Sequence, residues 1–163
     1  MHLRFVAMLS FVLVLLPGCH PLKVKEVLEG SDAWVRELTR SMDMEVVADT
    51  NVSSGEEMHW SIRIANRGEY EPHVSTLMIM LLDTPGKVSC RVERPAPREV
   101  DHDEANGYIY FLLTPVRVAS GTTTVVSGRC MFSSPGRYRL LLSGSFAESS
   151  VAFVSEILTV EVR

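Results

Sequence analysis

The chain is poor in aromatic residues, which make up 7% of it, and it holds only three cysteines and two tryptophans. Positive charge is also scarce: 16 Lys and Arg stand against 20 Asp and Glu, a net charge of −4. An acidic balance without a basic stripe argues against nucleic acid as a partner. The same balance argues against electrostatic docking on anionic lipid, which needs Lys/Arg clusters. There is no phosphate-binding glycine loop and no HExxH pair. Ser143-Gly144-Ser145 lacks the strand–elbow–helix context of a hydrolase nucleophile. His59 and His73 have no Ser or Cys nucleophile motif behind them. Function is argued from sites, and no catalytic constellation is legible, so the chain is expected not to be an enzyme.

What is present begins at the amino terminus. Arg4 precedes the run Phe5–Leu16, broken only by Ser10, and Pro17-Gly18 ends any helix. A charged head, an apolar run and a small-residue end in that order are the layout of a secretory signal. Twelve helical residues reach about 18 Å, short of the ~30 Å apolar core of a bilayer. The run closes in Leu16-Pro17-Gly18-Cys19, which resembles the lipobox of bacterial lipoproteins, although Pro17 stands where that pattern usually has Ala, Ser or Thr. The resemblance implies removal of residues 1–18, a diacylglyceryl group and further acylation on Cys19, and membrane attachment through those chains. Each buried CH₂ contributes about 0.8 kcal/mol, so two or three chains hold where one is marginal. His20 occupies the position where some Gram-negative lipoproteins carry a retention Asp, which implies passage to the outer membrane. The alternatives are an ordinary signal with a chance cysteine and an uncleaved anchor.

Once Cys19 is lipidated, Cys90 and Cys130 remain, an even pair outside the cytosol. That setting permits a disulfide, and two free buried thiols are the alternative. Residues 19–41 form a tether in which Val24, Val27, Leu28, Trp34, Val35 and Leu38 recur at helical spacing around Gly30. Trp34 and Leu38 would dock on the following domain or meet a partner.

From residue 42 the period changes to two. In "EMHWSIRIAN", Met58, Trp60, Ile62 and Ile64 share one face and Glu57, His59, Ser61 and Arg63 the other, as a sheet with one wet face requires. Asn51 to Gly55 reads as a turn, as does Asn66-Arg67-Gly68. "STLMIMLLD" is apolar on both faces and fits a fully buried strand, with a short helix as the alternative. "KVSCRVE" alternates with Val88, Cys90 and Val92 inward. Residues 93–107 read as a polar loop, "YIYFLL" as a strand interrupted by Pro115, and "TTTVVSGRCMF" as a strand with Val126, Cys130 and Phe132 on one face. Ser134-Pro135-Gly136 turns the chain into "RYRLLLSGSF", with Tyr138, Leu140 and Leu142 inward, and Leu158, Val160 and Val162 face in on the last strand. Seven to eight short strands with turns every eight to twelve residues predict an all-β sandwich over 42–163. Both cysteines fall on inward faces, where a disulfide would cross or brace the core.

Three stretches resemble bacterial Ig-like domains of the cell-adhesion-related, CARDB-like type and the transglutaminase-associated kind. They are Ile62-Arg63-Ile64-Ala65-Asn66-Arg67-Gly68, Val118-Ala119-Ser120-Gly121 ahead of "TTTVV", and Ser134-Pro135-Gly136-Arg137-Tyr138-Arg139-Leu140, followed by the closing Val160-Glu161-Val162. The resemblance spans residues 56–163 and rests on turns and core positions. It implies an Ig-like sandwich and brings no catalytic residues.

The acidic segment Glu99–Gly107 is the candidate site. Asp101 and Asp103 at i, i+2 would offer oxygens to Ca²⁺. The EF-hand template fails at Ala105, Asn106 and Leu112. His102 beside them would serve Zn²⁺, with no second His or Cys at ligand spacing. No other cofactor is expected. The sequence thus points to a lipid-anchored binding or adhesion module of a bacterial envelope, engaging a protein partner through a sheet face, an edge strand or end loops. An assembly accessory of an envelope complex and a metal-dependent ligand-binding domain are the alternatives.

Overall fold

The structure, a computed structural model, describes residues 40–103, 107–147 and 152–163, without the side chains of 102, 103, 152 and 154. The leader 1–18, Cys19 and the tether as far as residue 39 lie outside the described residues. Among the described residues from 42 onward every regular element is a strand: β1 (Met42–Ala48), β2 (Asn51–Val52), β3 (Glu57–Asn66), β4 (His73–Asp83), β5 (Val88–Arg94), β6 (Pro97–Asp103), β7 (Tyr108–Arg117), β8 (Thr123–Phe132), β9 (Gly136–Phe146), β10 (Ala152–Val154) and β11 (Leu158–Val162).

They form two sheets. The smaller runs β1-β3-β8-β5; the larger runs β2-β11-β9-β4-β7-β6, with β10 continuing beside β9. All pairs are antiparallel except β2 with β11. The period-two faces read from the sequence supply one shared core. Trp60, Ile62 and Ile64 of β3 and Val126 and Phe132 of β8 meet Leu77, Ile79, Phe111, Tyr138 and Leu140 of the larger sheet. The Phe132 and Tyr138 rings bridge the sheets with centroids 4.6 Å apart. The expected class, an all-β Ig-like sandwich, is the fold found.

The strand count differs from the expected seven to eight, for identifiable reasons. The segment read as a polar loop contains β6, which pairs along β7. Pro97 at its start and its charged side chains are what an edge strand carries, so the segment reads as loop by composition. Asn51-Val52 pairs with Glu161-Val162 instead of belonging wholly to a turn. Pro115 does not end β7, which continues to Arg117. The register slips between Val74 and Thr76, where Val74 opposes Val116 and Thr76 opposes Leu112, so the irregularity absorbs the missing N–H. "STLMIMLLD" is a strand, β4, but only one face of it is in the core.

Two supposed turns are crossings between sheets. Residues 67–72 carry the chain from β3 to β4 and residues 133–135 from β8 to β9. Asn66, 1% exposed, holds the first crossing. Its Nδ2 donates to the carbonyls of Tyr70 (2.6 Å) and Val118 (2.9 Å), and its Oδ1 accepts from Gly68 N–H (2.9 Å). Gly68 is required for space, since a Cβ there would lie 2.6 Å from Ser41. Each sheet also lays an aromatic ring over a glycine of the neighbouring strand. Trp60 opposes Gly128, whose Cβ would come within 2.3 Å of the indole. Phe153 opposes Gly144, whose Cβ would come within 2.4 Å of the ring.

Candidate interaction surface

The sandwich offers two outer faces and they are built differently. On the four-stranded sheet, odd-numbered residues of β3 and β8 point outward; they include the charged Glu57, Arg63 and Arg129 and the exposed apolar Val125 and Met131. Glu57 of β3 sits opposite Met131, one step from Arg129 on β8, with Arg91 beyond on β5. Its carboxylate takes Arg129 Nη1 at 2.8 Å and Arg91 Nη2 at 2.9 Å. Arg129 Nε in turn lies 2.7 Å from Glu93. Toward the β1 edge, Arg63 lies 3.8 Å from Glu45 and Arg67 2.5 Å from Asp43. The hydrogen bond from Arg129, together with the charges of Arg91, Arg129 and His59, outweighs the opposing effect of desolvation and holds the Glu57 carboxyl below its ordinary range. The Arg129 guanidinium is correspondingly held above its own. An open depression of about 860 Å³ crosses this face, lined by Asp43, Glu45, Arg63, Arg67, Thr123 and Val125. Its four charges are spent on each other.

The outer face of the seven-stranded sheet carries an apolar band interleaved with Thr76, Ser143 and Ser145. Leu77 and Ile79 of β4 and Ile109, Phe111 and Leu113 of β7 fill the core. Their alternates Met78, Met80, Tyr110 and Leu112 therefore point away from it. Cross-strand register joins them into a band: Met78 opposes Tyr110, Thr76 opposes Leu112, and Met80 opposes Leu141 of β9. All are half-buried by one another along the sheet. On one flank, β6 puts Glu99 and Asp101 opposite Leu112 and Tyr110, and Asp103 opposite Tyr108. On the other flank stands Arg139 of β9, across from Asp83 of β4 and beside Arg137, which pairs with Glu161 at 2.5 Å. Among the described residues no ion pair involves Arg139, Glu99 or Asp101.

The edges are less inviting. β6 carries Pro97 and alternating charge, and β1 carries Asp43 and Glu45, the devices that discourage strand addition. At the sandwich end, Glu71 accepts from Ser120 N–H at 2.9 Å and pairs with Arg117. Those two contacts, the backbone one first, hold its carboxyl low.

The residues singled out in the sequence separate clearly. Cys90 and Cys130 are joined in a disulfide. They are direct partners on neighbouring strands β5 and β8, Cα atoms 4.0 Å apart. The bridge therefore faces the core but staples one sheet, and does not cross between the two. Asp101 and Asp103 lie on β6 and not in a loop. Among the described residues no group of three His, Cys, Asp or Glu side chains is placed to hold a metal ion. His59 points outward beside Glu57, and His73 begins β4. Ser143 lies within central strand β9 opposite Met78. The Glu57 network and the apolar band went unread. The signal for the first was alternating charge in three separate strands; the signal for the second was apolarity on both faces of "STLMIMLL", which had been assigned wholly to burial.

Neither a family model nor a curated protein matches the chain. Solved structures match it in fold. The secreted serine protease VesC of Vibrio cholerae aligns with a TM-score of 0.50 at 10% identity, over 79% of this chain and 24% of that one. The CARDB domain of a Pyrococcus furiosus protein, solved in complex with di-metal ions, aligns at 0.48 with 12% identity over 75% and 87%. A cohesin module from a Clostridium perfringens family 33 glycoside hydrolase aligns at 0.48 with 10% identity over 76% and 97%. At these identities the likeness is one of fold alone.

Proposed function

We propose that the protein is a lipid-anchored, non-catalytic binding module of a bacterial envelope. Acyl chains on Cys19 would hold it, and it would engage another protein through the outer face of its seven-stranded sheet. The observation that carries this reading is the band Met78–Met80–Tyr110–Leu112–Leu141. A sheet face on which apolar side chains gather on the outer side supports an interaction site. Confinement of the anchored domain to a membrane plane raises its effective concentration against envelope partners.

Two measurements test the reading. A photo-crosslinking residue in place of Tyr110 is expected to trap a protein adduct in intact cells, while the same residue in place of Ser127, on the four-stranded sheet, traps none. Equal yields, or none at Tyr110, refute the assigned face. Separately, Cys19→Ser is expected to shift the protein out of the membrane fraction; its retention there refutes the anchor.

A further inference from the structure

We infer that Asn51 is a modification site: the acceptor of an N-linked oligosaccharide, read by a transferase outside the cytoplasm through Asp49 and Ser53. That assignment goes beyond the interaction reading and rests only on the envelope placement proposed with it.

The chain holds three asparagines, at 51, 66 and 106. Only Asn51 has a Ser or Thr two positions on, in Asn51-Val52-Ser53, the acceptor pattern Asn-x-Ser/Thr with x other than proline. Asp49 stands two positions before it, as in the longer acceptor pattern of bacterial transferases. The structure puts this segment where an acceptor must lie. Val52 is 7% exposed and faces the core, so Asn51, its neighbour on the strand, points to the outer side. Asp49, Thr50, Asn51 and Ser53 are all exposed. Asn66, by contrast, is buried with its amide bonded to two carbonyls. β2 is the outermost strand of its sheet. It is tied to β11 through the Thr50 carbonyl, which accepts from Glu161 N–H at 2.8 Å, and the Val52 carbonyl, which accepts from Arg163 N–H at 3.0 Å. Alternation turns the N–H and C=O of Asn51 away from β11, toward the open edge. Just beyond, Gly55 turns the chain at φ +84°. A two-residue strand on a sheet edge opens locally at little cost, so a transferase can bend the segment into its own groove. In the folded protein a bulky polar glycan at Asn51 stands in solvent and blocks addition of a further strand. The step balances without an oxidant. Asn51 Nδ2 attacks the anomeric carbon of an oligosaccharide carried on a polyprenyl pyrophosphate. The N–C bond forms, the C–O bond to the pyrophosphate breaks with its electron pair on the leaving oxygen, and Nδ2 gives one proton to a base of the transferase.

The test takes the full chain from its own cells, membrane and soluble fractions apart. Trypsin leaves Asn51 on the peptide 41–63, between Arg40 and Arg63. Mass spectrometry is expected to find that peptide extended by a series of sugar masses, with the first sugar retained on Asn51 after fragmentation. Asn51→Gln and Ser53→Ala are each expected to abolish the addition, and Ser53→Thr to keep it. Asp49→Asn is expected to lower occupancy about tenfold, the worth of one charge-assisted contact. Native disulfide content, read by alkylation without reductant, reports that each variant is folded. An addition that survives Asn51→Gln or Ser53→Ala, or that is indifferent to Asp49→Asn, overturns the inference. A bare wild-type peptide on protein in the membrane fraction overturns it while leaving the envelope reading in place; a bare peptide on protein found only in the cytosol removes both.

Discussion

The two outer faces solve the same problem in opposite ways. A sheet in a sandwich has one face in the core and one in water, and both faces must be chemically complete. The four-stranded sheet completes its outer face internally: Glu57, Arg91, Arg129 and Glu93 form one network, and Asp43, Glu45, Arg63 and Arg67 form pairs at the edge. The seven-stranded sheet does not. Met78, Met80, Tyr110, Leu112 and Leu141 lie together, and among the described residues no ion pair involves Glu99 or Asp101 on one border, while Arg139 on the other stands across from Asp83 of β4. A charge paired within its own face has little left for a partner. The apolar band is the surface on which the proposed interaction rests.

The smaller sheet is also stapled where the larger is not. Cys90 and Cys130, 40 residues apart in sequence, tie edge strand β5 to β8. Closing a loop of that length removes unfolded-state entropy worth about 4 kcal/mol. The largest effect expected on the body is therefore from Cys90→Ala with Cys130→Ala, a loss of about 4 kcal/mol in urea-induced unfolding. Met78→Ser with Met80→Ser is expected to change the stability of the monomer by less than about 1 kcal/mol, because those side chains point away from the core. If the methionine pair costs as much as the disulfide, the apolar face belongs to the core and the contrast between the sheets fails.

Gly128→Ala comes next. A methyl group there meets Trp60 and the Arg91 carbonyl, which at 2.2 Å cannot give way, so overpacking is expected to cost about 1–3 kcal/mol. Combining it with Trp60→Leu, which frees the space over the strand, should recover the part due to the ring but not the part due to the carbonyl. A change within a few tenths of a kcal/mol for Gly128→Ala alone would show that the indole does not lie on this glycine.

These features differ in how far they can be read from sequence. The inward residues of β3, β5, β8, β9 and β11 follow from period two, because their other face carries polar residues at most positions, Leu141, Val125 and Met131 being exceptions. The same rule misled at β4. Apolarity on both faces of Thr76–Leu81 is compatible with burial by a second layer and with a partner's surface, and sequence does not say which. β6 was missed because edge strands are polar by necessity, so their composition is that of a loop. Asn66-Arg67-Gly68 marked a change of direction, but its function is to satisfy carbonyls from 70 and 118, which no local pattern shows. The disulfide was anticipated from an even pair of inward cysteines; that it staples one sheet depended on β5 and β8 being neighbours, a matter of topology.

The smallest effect concerns the charged face, and it has a sign. Hydrogen bonding and neighbouring arginines hold the Glu57 carboxyl below its usual value in the folded chain. Near pH 4 the unfolded chain then binds more protons than the folded one, so stability rises with pH through that region. The contribution is complete above about pH 4.3, the ordinary Glu value, and is lost as pH falls through the depressed folded value. Glu57→Gln should therefore lower the urea midpoint slightly at pH 7 and flatten its fall between about pH 5 and 3, leaving the similar but separate contribution of Glu71. Because the pair is half-exposed, 1 M salt, with a Debye length of about 3 Å, should erase most of the difference between the two proteins. Parallel acid profiles for wild type and Glu57→Gln would mean that the network only decorates the four-stranded sheet. That face would then be as unfinished as the other, and the argument for placing the partner on the seven-stranded side would rest on apolarity alone.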